Sequence, residues 1–236
     1  MNGLIILLGE SFRDVSYGQG NRNRGTPISY NDQILACNSH ISFIENTIEK
    51  FHLNSISVFI SSYKTQYDND LLTIYNKYLI GNELYDNVIG LNNLFHNSIN
   101  KIENIEQYDF VLYLRIDLFL KDKFTEVFNP TSQMILFPTI CWKKDSKCKG
   151  KPRVNDMLLF IPKKYYSYIK NIVISHDTWY LLMRNTQLKD EDLDTMIHTY
   201  HDSDSGKDFN PLYYIVNRHE CKHWHSPNDI FNKYNF

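Results

Sequence analysis

The sequence predicts an α/β domain, with a mainly parallel sheet in its first half and a mixed sheet in its second. Three observations point there. Short apolar runs alternate with longer amphipathic segments over residues 1–118, the pattern of strands joined by crossover helices. Residues 119–236 keep apolar runs such as "QMILFP" and "DMLLFI" but lose that regular alternation. The chain has 236 residues, 42% hydrophobic and 22% charged, enough to bury one sizeable core. No repeat or low-complexity linker divides it, so residues 1–236 read as a single domain with halves 1–118 and 119–236.

The elements follow in order. Residues 4–8 are a strand, and residues 32–51 a helix with apolar spacing at Ile34, Leu35, Ile41, Ile44 and Ile48. "SISVFIS" is a second strand. A helix through Leu71, Leu72, Ile74, Tyr75 and Tyr78 follows, with Asp68 or Asn69 as its N-cap. "NVIG" is a third short strand, residues 92–102 a helix, and residues 110–114 the fourth strand. Beyond them, "QMILFP" and "DMLLFI" are strands, residues 163–172, 177–184 and 190–200 helices, and "LYYIV" a last strand.

Composition narrows the function classes. A net charge of -2 gives no reason to expect a nucleic-acid partner. The apolar run in "MNGLIILLGE" is too short for a membrane span and lacks a basic leader, so a soluble, cytoplasmic protein without a transmembrane segment is expected. Cys37, Cys141, Cys148 and Cys221 form no C-x-x-C pair; they suit a reducing compartment, with a Cys141–Cys148 bridge as the alternative. Enrichment in Asn, Lys, Ile and Tyr suits an AT-rich coding genome.

In open α/β sheets ligands bind at the carboxyl ends of the strands. After the first strand comes "GESFRDVSYGQGNRNRG", where glycines such as Gly9 allow close backbone approach and Arg13, Arg22 and Arg24 can fork onto phosphate, unless the segment is a plain surface loop. It has neither a Walker loop nor G-x-G-x-x-G. After the second strand, Ser61, Ser62 and Tyr63 can hydrogen-bond or stack on a base. After the fourth, "YLRIDLFL" puts Arg115 and Asp117 into an apolar run, where unpaired charge is costly. In extended geometry both point to one side. A carboxylate there is a hard ligand for Mg²⁺ or Mn²⁺ carrying a diphosphate; the alternative is a structural Arg–Asp pair.

Asp156, ahead of the strand in "RVNDMLLFIP", is either a general base for an acceptor hydroxyl or a turn residue, and Arg153 an anion contact or a surface charge. In "NRHECKHWHSP", His219, Cys221, His223 and His225 alternate and would face one way in a strand, a pattern able to ligate metal, zinc included.

Taken in order, "LIILLGESFR", "SVFISSYKTQYD", "YDFVLYLRIDLFL", "RVNDMLLFIP" and the histidine-rich tail resemble the A-type (GT-A) glycosyltransferases, small nucleotide-sugar-dependent enzymes of polysaccharide biosynthesis. The resemblance implies a GT-A-like fold and transfer of a sugar from a nucleotide donor, UDP-linked, to a hydroxyl of a glycan or glycoprotein. It implies Gly9, Arg13, Ser62, Tyr63, Arg115 and Asp117 at the donor, and Asp156 as the acceptor-side base. It also implies a Mn²⁺ or Mg²⁺ ion held by Asp117 and His223. Arg115 departs from the family's Asp-x-Asp: it either contacts ribose or phosphate itself or pairs with Asp117. The composition suits a large DNA virus, hence the host cytoplasm, and equally an AT-rich bacterium. A nucleotidyltransferase, a nucleotide- or glycan-binding module without catalysis, and a zinc-stabilised interaction domain are the alternatives.

Overall fold

A computed structural model describes residues 1–13, 25, 27–141, 153–154, 158–169, 197–201 and 213–215. Four strands form a parallel set in the order β3-β2-β1-β4: β1 (Asn2–Gly9), β2 (Ser55–Tyr63), β3 (Leu79–Tyr85) and β4 (Phe110–Arg115). The crossovers are α1 (Pro27–Phe51), α2 (Asp68–Tyr75) and α3 (Leu91–Lys101). Past β4 the chain turns into β5 (Leu118–Leu120) and the short α4 (Asp122–Val127). The sheet then continues with β6 (Ile135–Cys141), β7 (Arg153–Val154) and β8 (Leu158–Pro162) in the order β4-β8-β6-β7. In this part β8 is antiparallel to both β4 and β6, and β6 is antiparallel to β7. A 3-10 turn (Lys163–Tyr165) leads into α5 (Tyr166–Ile169), β9 (Ile197–His201) runs parallel to β6, and β10 (Tyr213–Ile215) pairs with β5. The α/β class, parallel first and mixed afterwards, is the one the sequence predicts.

Side-chain alternation splits the core into two layers. Leu4, Ile6 and Leu8 of β1 face one side with Leu94, Phe95 and Ile99 of α3. Ile5 and Leu7 face the other with Phe43 and Ile44 of α1 and Phe124, Phe128 and Phe160. Gly3 lies opposite Phe110 in the β1–β4 register, and a Cβ there would stand 2.3 Å from Phe110 Cζ. The ring lies over the glycine because no side chain occupies that space.

Several expectations change. The third strand is residues 79–85, not "NVIG", which lies outside any strand. "LIGNELY" at the sheet edge alternates only between exposed and half-buried positions, so it lacks a greasy run. Residues 197–200, expected to end a helix, belong to β9. The N-cap position of α2 is Tyr67; Asp68 Oδ1 instead accepts from the Thr65 N–H and hydroxyl. The buried face of α1 includes Ile44 of the expected stripe but is offset from the rest, with Ile34, Ile41 and Ile48 packed at its flank. Ser29, Gln33, Ala36, Cys37, His40, Phe43, Ile44 and Thr47 are buried, whereas Ile34, Leu35, Ile41 and Ile48 are not fully so. Among the described residues, no helix is long and apolar enough to cross a membrane.

Candidate donor site at the carboxyl ends of β1 and β4

Strand order reverses at β1. The chain leaves β1 for β2 on one side and returns from β3 to β4 on the other. A crevice between the outgoing loops is the usual consequence of such a switch point, and ligands bind there. Residues 10–13, which follow β1, and the turn after β4 flank this switch point as two lips. Leu8 pairs with Arg115 across the strands, and the Ile116 N–H donates to the Leu8 carbonyl at 2.9 Å.

On the β4 lip, Ile116 and Asp117 form the tight turn into β5. Arg115 folds onto Asp117 through two parallel bonds, Nε to Oδ1 at 2.8 Å and Nη2 to Oδ2. Asp117 has no solvent exposure, and the Arg115 side chain is 12% exposed. Such a fork is the strongest geometry available to the two groups. It explains how the apolar strand tolerates its charges: they neutralise one another within the turn.

On the β1 lip, Glu10 is buried and meets Arg13 Nε at 3.2 Å. Gly9 has φ +114, and a Cβ added there would find no atom within 4 Å. Ser62 Oγ donates to the Gly9 carbonyl at 2.8 Å and lies 3.0 Å from Ser11 Oγ. Ser62 therefore holds the loop from behind. Tyr63 is buried in the α3-side core and its hydroxyl accepts from the Gly90 N–H at 3.2 Å, so its ring is packed between core side chains. Phe12 is fully buried with φ 49, an uncommon backbone state for an aromatic residue. Its carbonyl accepts from Ser29 Oγ and the Gly25 N–H, both at 2.7 Å.

Behind both lips runs the polar stripe of α1. Gln33 Oε1 accepts from the Phe12 N–H at 3.1 Å, and Gln33 Nε2 donates to the Ile116 carbonyl at 2.8 Å. His40 Nε2 lies 2.6 Å from the Leu118 carbonyl and Nδ1 lies 2.6 Å from Tyr75 Oη. Because a carbonyl only accepts, Nε2 carries the proton and Nδ1 accepts from the tyrosine. Burial lowers the His40 pKa to about 4, and the same desolvation raises the Cys37 thiol and lifts Tyr75 well above its usual range.

The structure thus brings Gly9, Arg13, Ser62, Arg115 and Asp117 to one edge, with Tyr63 behind it. Asp156 and His223 lie outside the described residues, as do His219, Cys221 and His225. Of the two residues expected to hold a divalent ion, Asp117 is described and His223 is not. Both Asp117 oxygens are engaged by one guanidinium, and among the described residues no three His, Cys, Asp or Glu side chains gather as a metal set. Glu10, Gln33 and His40 were not foreseen. Glu10 and Arg13 at i,i+3 straight after a strand were a usable signal, whereas a buried glutamine leaves none. Two clefts open at the opposite edge. One of 620 Å³ is lined by Glu45, Ser55, Lys77 and Leu79, and another by Met1, Asp109 and Lys163; neither includes a charged pair of the lips.

No protein-family model matches the chain, and no curated protein matches it in sequence. Among solved structures it is similar to a mutant Drosophila β1,4-galactosyltransferase 7 in complex with manganese, UDP-Gal and xylobiose. That likeness has a TM-score of 0.44 and 8% identity over 90% of this chain and 68% of that one. It is similar to HddC from Yersinia pseudotuberculosis complexed with GMP-PN, at TM-score 0.46 and 12% identity over 98% and 97% of the two chains. A third is the galactosyltransferase LgtC in complex with donor and acceptor sugar analogues, at TM-score 0.40 and 12% identity over 84% and 73%.

Proposed function

We propose that this chain is a glycosyltransferase of the GT-A kind, moving a sugar from a UDP-linked donor to a hydroxyl of a glycan or glycoprotein. One observation carries the reading: the buried Arg115–Asp117 turn lies beside the end of β1, at the switch point of the parallel half. That is where doubly wound sheets receive nucleotides, and a guanidinium is the side chain best matched to phosphate.

In this reading Arg115 and Arg13 face the diphosphate, and Asp117 and Glu10 hold the two arginines in place. Gly9 leaves the backbone bare for close approach, and Ser62 fixes its carbonyl. The acceptor oxygen attacks the anomeric carbon as the bond to the diphosphate oxygen breaks, and the diphosphate departs with the electron pair. Guanidinium N–H donors aimed at that oxygen, rather than net charge, are the electrostatic contribution to such a transfer. Asp156 takes the acceptor proton. It is supported by β8 running antiparallel to β4: Leu158, two residues beyond Asp156 in sequence, pairs with Leu114 beside Arg115. A base on the acceptor side favours inversion. A divalent ion beside Asp117 would supply further positive charge there, and no step is routed through it.

The closed Arg115–Asp117 fork also favours a second reading, a nucleotide-sugar-binding module without turnover. Both are tested by calorimetry with UDP-, GDP- and TDP-sugars, with Mn²⁺ and with EDTA, while diphosphate release is followed. Release above the enzyme-free rate supports transfer, binding without release favours the module, and no binding by any nucleotide overturns both.

A further inference from the structure

Gln33 touches both lips with one side chain. The N–H it binds belongs to Phe12, next in sequence to Arg13. The carbonyl it binds belongs to Ile116, between Arg115 and Asp117. Gln33 is itself fully buried, in the second turn of a 25-residue helix whose other contacts hold the same two segments. Ser29 holds the Phe12 carbonyl, His40 the Leu118 carbonyl, and Ser39 Oγ accepts from the Leu120 N–H at 3.0 Å. Among these, Gln33 alone bonds to both sides. It does so with opposite polarity, accepting from one lip and donating to the other, as an uncharged amide can and an ionised carboxylate cannot.

We propose that Gln33 is the positioning residue of the donor site, coupling the Arg13 lip to the Arg115 lip so that the two guanidinium groups keep one separation matched to a diphosphate. This rests on the donor reading given above. Phe12 holds a left-handed backbone with a bulky side chain, a state that persists only where surrounding bonds impose it. The bond from Gln33 fixes the Ser11–Phe12 peptide on one side of that residue, while Ser29 fixes the Phe12–Arg13 peptide on the other, so the two together hold the backbone from which Arg13 leaves. On the other lip, the Ile116–Asp117 peptide is held through its carbonyl, which fixes the course of the turn between Arg115 and Asp117. A phosphate pair bridging both arginines therefore meets a preset gap, and ordering the gap on binding costs little.

The chemistry of Gln33→Glu makes the test specific. When ionised, the introduced carboxylate still accepts from the Phe12 N–H but opposes the Ile116 carbonyl with a second acceptor. When protonated, it donates to that carbonyl and restores both bonds. Calorimetric titration with UDP, Mg²⁺ present throughout, is read as the ratio of variant to wild-type affinity at each pH, which cancels the titration of the ligand. At pH 8 the expected ratio is a loss of roughly tenfold, recovering to within about threefold at pH 5.5. Gln33→Met, apolar and of similar length, introduces no buried charge and keeps the test open if Gln33→Glu does not fold at pH 8. Its expected loss is about tenfold at both pH values. Wild-type affinity for either variant at pH 8, or a Gln33→Glu loss that does not shrink as the pH falls, overturns the coupling. If the wild-type chain binds none of UDP, GDP and TDP, the donor reading itself falls, and Gln33 with it.

Discussion

Replacing both members of the Arg115–Asp117 pair separates its part in folding from its part in binding. Asp117 is fully buried and Arg115 nearly so, and two parallel bonds join them. Asp117→Leu keeps the approximate volume but leaves a buried guanidinium without its counter-charge, which costs about 3–5 kcal/mol. For a chain of this length each kcal/mol moves Tm by roughly 2–4 °C, so the midpoint should fall by about 6–20 °C. Arg115→Met leaves the carboxylate stranded and should cost a similar amount. The double variant Arg115→Met/Asp117→Leu removes both charges together and should return to within about 1–2 kcal/mol of wild type, since apolar replacement of a buried pair is close to neutral. Urea unfolding of the four proteins gives the cycle. The double variant then decides the function: folded but lacking the guanidinium, it should bind UDP at least tenfold more weakly, about 1.4 kcal/mol. A coupling energy below about 0.5 kcal/mol would refute the structural argument, within the usual error of such cycles. A folded double variant that binds UDP like the wild type would refute the donor role.

Three further outcomes follow from single residues. His40 is held neutral with a pKa near 4, below its unfolded value of about 6.5, so the unfolded chain takes up the proton first as the pH falls. Stability is then whole above about pH 6.5 and lost progressively toward pH 4, by up to about 3 kcal/mol. Urea midpoints for wild type and His40→Gln at pH 7.5 and 4.5 check this, and a difference between the proteins that ignores pH would contradict it. Gly3→Ala pushes a methyl to 2.3 Å from a Phe110 ring that stacks on Phe160 at 5.4 Å, so it should cost about 1–3 kcal/mol and be partly rescued by Phe110→Leu. Equal stability of Gly3→Ala and wild type in urea would mean the sheet yields there at no cost. Gly9→Ala meets no neighbour, so the +114 φ alone should cost about 1–3 kcal/mol and weaken UDP binding; unchanged urea stability and calorimetric affinity would count against both effects.

The parallel half was legible because its strands are continuous apolar runs, and buried parallel strands have to be. β3 was not, since an edge strand needs only weak alternation and "LIGNELY" carries a glycine, an asparagine and a glutamate. β9 hid inside an apparent helix because "IHTYH" gives little apolar periodicity to choose between the two. In the site, Arg115 and Asp117 stood out because charge in a greasy strand demands a partner, and each has the other. Ser62 and Tyr63 were located by strand ends, but their partners, Gly9 and Gly90, depend on register and crossover geometry that local sequence does not encode. Gln33 and His40 were invisible for a plainer reason. Polar residues on a helix default to solvent, and only the tertiary structure shows that backbone groups from two other elements meet them.

The polar stripe of α1 bears on which of its rotations the protein accepts. Turning the helix by one residue, about 100°, would bring Ile34 and Ile41 toward the sheet in place of Gln33 and His40. Ile34, Ile41 and Ile48 already pack at the flank of the core, so a slip exchanges Phe43 for isoleucines and alters apolar contact less than it alters hydrogen bonding. Ser29, Gln33 and His40 reject it, because hydrogen bonds fail on a rotation that oily contacts would tolerate, and buried backbone groups on Phe12, Ile116 and Leu118 would lose their partners. The least apolar part of the interior thus selects the one seating of α1 among near-degenerate alternatives. Replacing that stripe with leucine and isoleucine would make the core oilier and the fold less unique.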